Sequence, residues 1–113
     1  MNGSLVALGA GAVIGSREIG MLAACGVAHA PVTKKPRVAI LSTGDELVQP
    51  GGSLRPAAIF DTNGPIVAAA VAENGGEPVF CGAIPDDETA LWDAMSKAFA
   101  QCDMLILSGG TSK

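Results

Sequence analysis

The chain has 113 residues, which is enough for one domain and too few for two. Seven Lys and Arg against eleven Asp and Glu give a net charge of −4, and this argues against nucleic acid, which usually needs a basic partner surface. Hydrophobic residues are 49% and charged residues 16%, which excludes disorder over most of the length. No apolar run approaches the roughly eighteen residues of a membrane span. We therefore expect a folded domain that binds neither nucleic acid nor membranes.

The cysteines and the N-terminus indicate a compartment. Cys25, Cys81 and Cys102 form no closely spaced pair, so we predict neither a disulfide framework nor a zinc site and interpret them as small buried residues. Met1 is followed by Asn-Gly-Ser with no basic segment, so no signal peptide is recognised. The cytoplasm is the expected location, and the single His29 is interpreted as a linker residue.

Residues 1–30 are rich in Gly and Ala. A short helix is predicted from Ser16, which can cap its N-terminus, to Gly26, which can end it in the left-handed conformation. Residues 27–36 carry two prolines and two lysines, which is typical of a linker. The predicted organisation is a leader over residues 1–36 and a domain over residues 37–113.

The rest of the chain alternates short apolar runs with helical patterns. The apolar runs are too brief for helices and are bounded by Gly, Pro, Ser or Asp, which is typical of buried strands. The helical stretches begin at Asp-rich or Asn-containing cap sequences. In chain order we predict a strand at 37–41, a helix from 61–65 to Gly75, a strand at 77–83, a helix from 85–87 to Cys102, and a strand at 103–107.

Composition predicts a loop, and spacing predicts the buried faces of the two helices. A loop is predicted between the first of these strands and the next helix, since it carries two prolines and two glycines, Pro50, Gly51, Gly52 and Pro56. Each of the two helices has one apolar face. The predicted faces are Ile66, Val67, Ala70 and Val71 in the first of them, and Leu91, Ala94, Met95, Ala98 and Cys102 in the second.

The order strand, helix, strand, helix, strand defines the fold class. Right-handed crossovers make such a βαβαβ unit a parallel sheet with helices on both faces, a three-layer α/β domain. In the usual doubly wound order, the first and third strands are neighbours and the second lies outside the first. Two loops, 42–46 and 108–112, should then meet at the carboxyl ends of the strands, where ligands bind in such sheets.

Both loops mix Gly with Ser and Thr. Gly lets backbone N–H groups approach an anion and hydroxyls add donors, so a phosphate or another oxyanion is the expected guest; alternatively, small polar residues simply form turns after strands. Carboxylates frame the same end of the sheet and could hold Mg²⁺ beside a phosphate. They are Asp45, Glu46, Asp61, Asp86 and Asp87. Alternatively, Asp61, Asp86 and Asp87 could be helix N-caps.

Four motifs in order carry a resemblance to a known family. They are Val38-Ala-Ile-Leu-Ser-Thr-Gly-Asp-Glu-Leu-Val48, Phe60-Asp-Thr-Asn63, Ile84-Pro-Asp-Asp87 and Leu107-Ser-Gly-Gly-Thr-Ser112. Together they resemble the molybdopterin-binding domain of the molybdopterin molybdenumtransferase family, which includes MoeA and the gephyrin E-domain. The resemblance covers almost the whole chain. Gly64 departs from the pattern, because the family commonly has Arg there, and so does Lys113, where a small apolar residue is usual.

The resemblance implies a MogA/MoaB-like fold that is incomplete at the C-terminus, and a function in molybdenum cofactor biosynthesis. Such enzymes take adenylylated molybdopterin and molybdate as substrates, need Mg²⁺, insert the metal into the dithiolene and release AMP. The expected parent is a longer protein and a homodimer, and the fragment alone is expected to be inactive. The implied catalytic residues are Asp45, Glu46 and Asp86, with Asp86 also as metal ligand. The implied molybdopterin-binding residues are Ser42, Thr43, Gly44, Asp61, Ser108, Gly109, Gly110, Thr111 and Ser112.

Two alternatives stay open at the level of sequence. A CinA-like nucleotide-processing domain shares Ser-Thr-Gly-Asp-Glu and Asp-Thr-Asn, but its final loop usually reads Gly-Gly-Leu-Gly-Pro-Thr. The second alternative is a non-catalytic pterin-binding or scaffold module, as the resemblance to gephyrin allows. Here the loop Gly109-Gly-Thr-Ser112 and the 36-residue leader favour the molybdenumtransferase resemblance.

Overall fold

The computed structural model describes residues 6–109. The chain divides into two compact units, Met1–Thr33 and Lys34–Lys113, and the predicted linker at 27–36 spans this division. The first unit contains one described helix, α1 (Ser16–Ala24). The second unit holds the remaining described elements, which are β1 (Arg37–Thr43), β2 (Leu47–Val48), β3 (Ile59–Phe60), α2 (Asn63–Glu73), β4 (Glu77–Ile84), α3 (Glu88–Gln101) and β5 (Met104–Ser108).

Helix α1 begins at Ser16, the residue that was predicted to be its cap. Gly15 is the N-cap, so the prediction of Ser16 as cap is wrong by one position. The Gly15 N–H donates to a carboxylate oxygen of Glu18 at 3.1 Å, so a side chain inside the first turn satisfies the exposed backbone donor. At the other end Gly26 has φ +78°, and its N–H donates to Ala23 O at 2.9 Å, which confirms the predicted left-handed termination.

The main sheet of the second unit is parallel, with strand order β4-β1-β5. This confirms the predicted α/β class and the predicted order, with the first and last strands adjacent. Helix α2 packs on β4 and β1, and α3 packs against all three strands. Because right-handed crossovers lead to β4 and then back to β5, the two helices cover opposite faces of the sheet. The unit is therefore built in three layers.

The core centres on β1. Its residues from Val38 to Thr43 are buried, and Ala39, Ile40 and Leu41 have no exposed surface. A central parallel strand is covered on both faces and has neighbours at both edges, so a continuous apolar run such as Val-Ala-Ile-Leu is what it requires. The two outer strands, β4 and β5, are only partly buried.

A second, two-stranded sheet lies within the stretch predicted as loop. Leu47 pairs with Ile59 and Val48 with Phe60, both in parallel register. The Asp61 N–H donates to Val48 O at 2.8 Å and so extends this pairing by one residue. The prediction of an unbroken loop between β1 and α2 was wrong because two-residue strands are too short to show any periodicity.

Helix α2 buries only part of its predicted apolar face. Ile66 is 63% exposed and Ala70 is also exposed, whereas Val67 and Val71 are half-buried as expected. Gly64 is buried instead, and a Cβ atom there would lie 2.8 Å from Phe80 Cζ. The absence of a side chain lets the first turn of α2 approach β4 closely, which rotates Ile66 outward.

Helix α3 follows its prediction. Ala98 is buried, and the other members of the apolar stripe, Leu91, Ala94, Met95 and Cys102, are half-buried. Asp87 is the N-cap, and one of its carboxylate oxygens accepts from the Ala90 N–H at 2.9 Å. Across residues 6–109, no helix is both long and apolar enough to cross a membrane.

Candidate functional site

The described parts of the two polar loops lie side by side. Ser42 at the end of β1 pairs with Ser108 at the end of β5. Thr43 Oγ1 donates to Ser108 O at 3.4 Å. Gly109 has φ +112°, and a Cβ atom there would stand 2.5 Å from Thr43 O. The predicted convergence of these loops is therefore confirmed as far as Gly109. The predicted binding residues Gly110, Thr111 and Ser112 lie outside the described residues.

The first loop also contacts the end of β4. The Gly44 N–H donates to Ile84 O at 3.1 Å, and the Asp86 N–H donates to Asp45 Oδ1 at 2.9 Å. The carboxyl ends of three strands thus meet at the segment Thr43–Asp45. Parallel strands place these ends at one edge of the sheet, which is why residues far apart in sequence come together here.

A pocket of about 170 Å³ opens beside this loop. Its apolar lining comes from the small sheet, with Leu47, Ile59 and Phe60. Its polar lining comes from Thr43, Glu46, Asp61, Thr62, Asn63 and Ser108. Drug-sized ligands occupy pockets of about 300–1,000 Å³, so this one has the size of a subsite for one part of a larger molecule.

Asp61 is the most unusual group in the pocket. It is 2% exposed. Its Oδ1 accepts from the Gly64 N–H at 3.2 Å, so it acts as a cap for the first turn of α2 although Thr62 is the formal N-cap. Its Oδ2 is buried and has no hydrogen-bond partner among the described residues. Leaving a buried carboxylate oxygen without a donor costs free energy.

Gly64, where the family commonly has Arg, lies next to the buried carboxylate of Asp61. A Cβ atom on Gly64 would lie 2.6 Å from Asp61 Oδ2 and 2.8 Å from Phe80 Cζ. No larger side chain fits here without displacement of Phe80. The glycine therefore keeps Asp61 and the start of α2 in close contact with β4.

The remaining predicted residues of the first loop have distinct surroundings. Ser42 is 1% exposed, and its hydroxyl has no hydrogen-bond partner among the described residues, but it does not line the pocket. Gly44 is buried with φ +152°, and Glu46 folds back so that its carboxylate would lie 2.9 Å from a Cβ atom there. Asp45 and Glu46 are exposed at the rim, where carboxylates can meet a ligand from solvent.

Sequence reasoning missed Arg55. This exposed residue lies in the connection between β2 and β3, and its guanidinium donates to Asp45 O. It is the one basic residue between Arg37 and Lys97 in the sequence, and this isolation is the signal that could have drawn attention to it. Arg55 brings a permanent positive charge to a rim otherwise lined by carboxylates, and a guanidinium with free N–H groups suits a phosphate.

Asp86 and Asp87 differ in surroundings although they are adjacent. Asp87 caps α3, so the capping alternative is confirmed for it. The Asp86 side chain is exposed, and no hydrogen bond or ion pair of its carboxylate is found among the described residues. No group of three or more His, Cys, Asp or Glu residues is arranged to hold a metal ion within residues 6–109. Mg²⁺ commonly takes only one or two protein carboxylates, completing its shell with water and substrate phosphate, so Asp86 with Asp45 nearby is a compatible donor set.

Fold and site together define a class of protein. A crevice at the carboxyl ends of a parallel α/β sheet, with apolar, hydroxyl and carboxylate groups and a glycine at close approach, is typical of proteins that bind small molecules. A family model described as "Probable molybdopterin binding domain" matches residues 39–113. The chain belongs to this family.

Individual proteins are similar to most of the chain. It is 46% identical over 99 residues to a molybdopterin molybdenumtransferase from Nostoc sp., covering 88% of this chain and 23% of that protein. It is 37% identical over 92 residues to a molybdopterin molybdenumtransferase from Bacillus subtilis, covering 81% and 21%. The structure is similar to that of a molybdopterin biosynthesis MoeA protein from Pyrococcus horikoshii, with a TM-score of 0.80 and 39% identity over 86% of this chain and 25% of that one. The chain spans about a quarter of the length of these proteins.

Proposed function

We propose that the crevice binds adenylylated molybdopterin. Membership of the molybdopterin-binding family supplies the ligand class. The observation that carries the proposal is the close approach of Gly109 to Thr43, beside a pocket that also presents Asp61 and Glu46. Backbone N–H groups and the Arg55 guanidinium would donate to phosphate oxygens, and the pocket of about 170 Å³ would receive the ring system.

In a longer parent protein, the proposed reaction inserts molybdenum from molybdate into the dithiolene and releases AMP. Cleaving a phosphoric anhydride requires offsetting charge on the leaving phosphate, and Mg²⁺ bound by Asp86 would supply that Lewis-acid chemistry. Asp45 would hold the β4 end of the crevice through its bond to the Asp86 N–H. Glu46, at the rim beside Gly44, would orient water or substrate.

A titration tests the binding proposal. The chain is mixed with adenylylated molybdopterin and, separately, with ADP-ribose, and binding is followed by calorimetry. We expect saturable binding of the pterin and weaker binding of ADP-ribose, because the subsite accepts one ring system beside an anion loop. A preference for ADP-ribose would favour the CinA-like alternative and overturn the proposal.

The catalytic proposal needs the parent protein. We expect AMP release from adenylylated molybdopterin by the full-length enzyme to depend on both molybdate and Mg²⁺. A parent that binds the pterin but releases no AMP under these conditions would instead be the non-catalytic scaffold considered above. The homodimeric state of the parent and its cytoplasmic location stay predictions, to be measured by light scattering and fractionation.

A further inference from the structure

The Arg55 side chain bridges two loops at the rim of the crevice. It lies in the connection between β2 and β3, and its Nη2 donates to the main-chain oxygen of Asp45, ten residues earlier. Across residues 6–109, Asp45 O has no other hydrogen-bond donor. The guanidinium therefore holds the peptide group that joins Asp45 to Glu46, and it does so with only one of its nitrogens.

The backbone that carries Arg55 is constrained as well. The Ala58 N–H donates to Arg55 O at 3.1 Å and closes a four-residue turn, whose third residue, Ala57, has φ +64°. A positive φ at this position is typical of a type II turn and usually belongs to Gly. Just beyond the turn, the Ile59 N–H donates to Glu46 O at 2.8 Å. The turn is thus anchored beside the first loop, which keeps the reach of the arginine to that loop short.

Asp45 makes a second contact, which leads to the proposed metal ligand. Its Oδ1 accepts from the Asp86 N–H at 2.9 Å. The carbonyl and the side chain of Asp45 share one Cα atom, so fixing the carbonyl also limits the directions in which the carboxylate can point. Asp45 and Asp86 are both exposed, so burial does not hold either of them. Two hydrogen bonds in series therefore connect Arg55 to the segment after β4.

Resting on the proposed function, we infer that Arg55 is a positioning residue that acts on Asp86 through Asp45. By holding the Asp45 carbonyl, it keeps the Asp45 carboxylate on the Asp86 N–H, and so keeps Asp86 where its own carboxylate would take Mg²⁺. Its positive charge also offsets the negative charge of the rim. The bond to Asp45 exists in the ligand-free chain, which separates this role from a direct contact with phosphate.

Amide hydrogen exchange of the ligand-free chain, followed by NMR, tests this connection. Arg55→Met keeps a long unbranched side chain but removes the donor, and we expect the Asp86 amide to exchange on the order of 5-fold faster. Arg55→Lys keeps a donor and the charge and should restore part of the protection. Lys97→Met, which removes an exposed cation of α3, is the matched control and should leave this amide unchanged. Unchanged exchange in Arg55→Met would overturn the inference.

A double-mutant cycle separates this connection from a general loss of order. Asp45→Ala already breaks the bond to the Asp86 N–H, so adding Arg55→Met should accelerate that amide no further. The Ala90 N–H, held by the Asp87 carboxylate at 2.9 Å, serves as the internal reference and should exchange equally in all four proteins. Additive accelerations at Asp86, or acceleration of the Ala90 amide as well, would show that Arg55 only stabilises the chain and would overturn the inference.

The full-length parent supplies a catalytic readout. At saturating adenylylated molybdopterin, we expect Arg55→Met to raise the Mg²⁺ concentration for half-maximal AMP release several-fold, and Arg55→Lys to recover most of this loss. An active parent whose Mg²⁺ dependence is unchanged by Arg55→Met would remove the positioning role and leave the proposed function standing. A parent that releases no AMP would remove the proposed function, and the exchange measurements would then decide whether Arg55 positions Asp86.

Discussion

Gly109 lies against Thr43 so closely that a Cβ atom on Gly109 would stand 2.5 Å from Thr43 O and 2.6 Å from Thr43 Oγ1. Carbon atoms do not approach oxygen atoms this closely without displacement. The contact joins the ends of β1 and β5, and it closes the crevice on the side where the anion is proposed to bind. The geometry of the proposed anion site therefore depends on the contact between Gly109 and Thr43.

Replacing this glycine should damage both stability and binding. In Gly109→Ala the new methyl group meets Thr43, and the backbone is held at φ +112°, so we expect a loss of at least about 1 kcal/mol in unfolding free energy and weaker binding of adenylylated molybdopterin. Urea unfolding and calorimetry measure the two effects. Gly75→Ala is the matched control, because Gly75 has φ +89° with no atom within 4 Å of its Cβ position. It should lose stability through the backbone alone and bind normally; equal losses of binding would contradict the steric argument.

A second prediction concerns the contact between Gly64 and Phe80. Gly→Ala inside a helix is ordinarily stabilising by about 0.5–1 kcal/mol. Here we expect Gly64→Ala to destabilise by about 1–3 kcal/mol, because the methyl group would meet the Phe80 ring and Asp61 Oδ2. Thermal and urea unfolding of both single variants and the double variant Gly64→Ala/Phe80→Leu complete a double-mutant cycle. The alanine should cost less once the ring is smaller. A Gly64→Ala protein at least as stable as wild type would refute the close packing.

Substitutions of the adjacent Asp86 and Asp87 should have different effects, one on stability and the other on activity. Asp87→Ala removes the N-cap of α3 and should cost about 0.5–2 kcal/mol of unfolding free energy. Asp86→Ala removes an exposed carboxylate with no described side-chain bond and should change stability by less than about 0.5 kcal/mol. In the full-length parent, Asp86→Ala should abolish metal insertion while pterin binding is largely retained. Equal loss of metal insertion and of pterin binding would indicate that Asp86 has only a folding role.

The last prediction concerns the bond between Asp45 and Asp86. Asp45 Oδ1 holds the Asp86 N–H at 2.9 Å, across the gap between the first loop and the end of β4. In Asp45→Ala this bond is lost, so hydrogen exchange of the Asp86 amide should accelerate and ligand affinity should fall. Asp45→Asn retains an acceptor oxygen and should keep the Asp86 amide protected. If alanine and asparagine variants exchange equally fast, the bond does not order the loop.

The sequence by itself determined the layered α/β fold and the edge of the sheet where the site lies. Apolar runs such as Val38–Leu41 and the helical stripe that includes Leu91 and Ala98 report burial directly through their periodicity. The handedness of crossover connections then leaves few topologies, and the usual doubly wound order among them predicts that β1 and β5 are neighbours and that their polar loops meet. These features follow from local patterns and from a general rule of chirality.

Only the tertiary structure decided the finer features of the site. The pairing of Leu47 with Ile59, the outward turn of Ile66, the bond from Arg55 to Asp45 and the unpaired oxygen of Asp61 have no sequence pattern. Each depends on how closely two segments approach one another, and that distance is set by the packing of the whole unit. Periodicity records which side of an element is buried on average, whereas a contact of a few ångströms depends on the neighbour that folding places there.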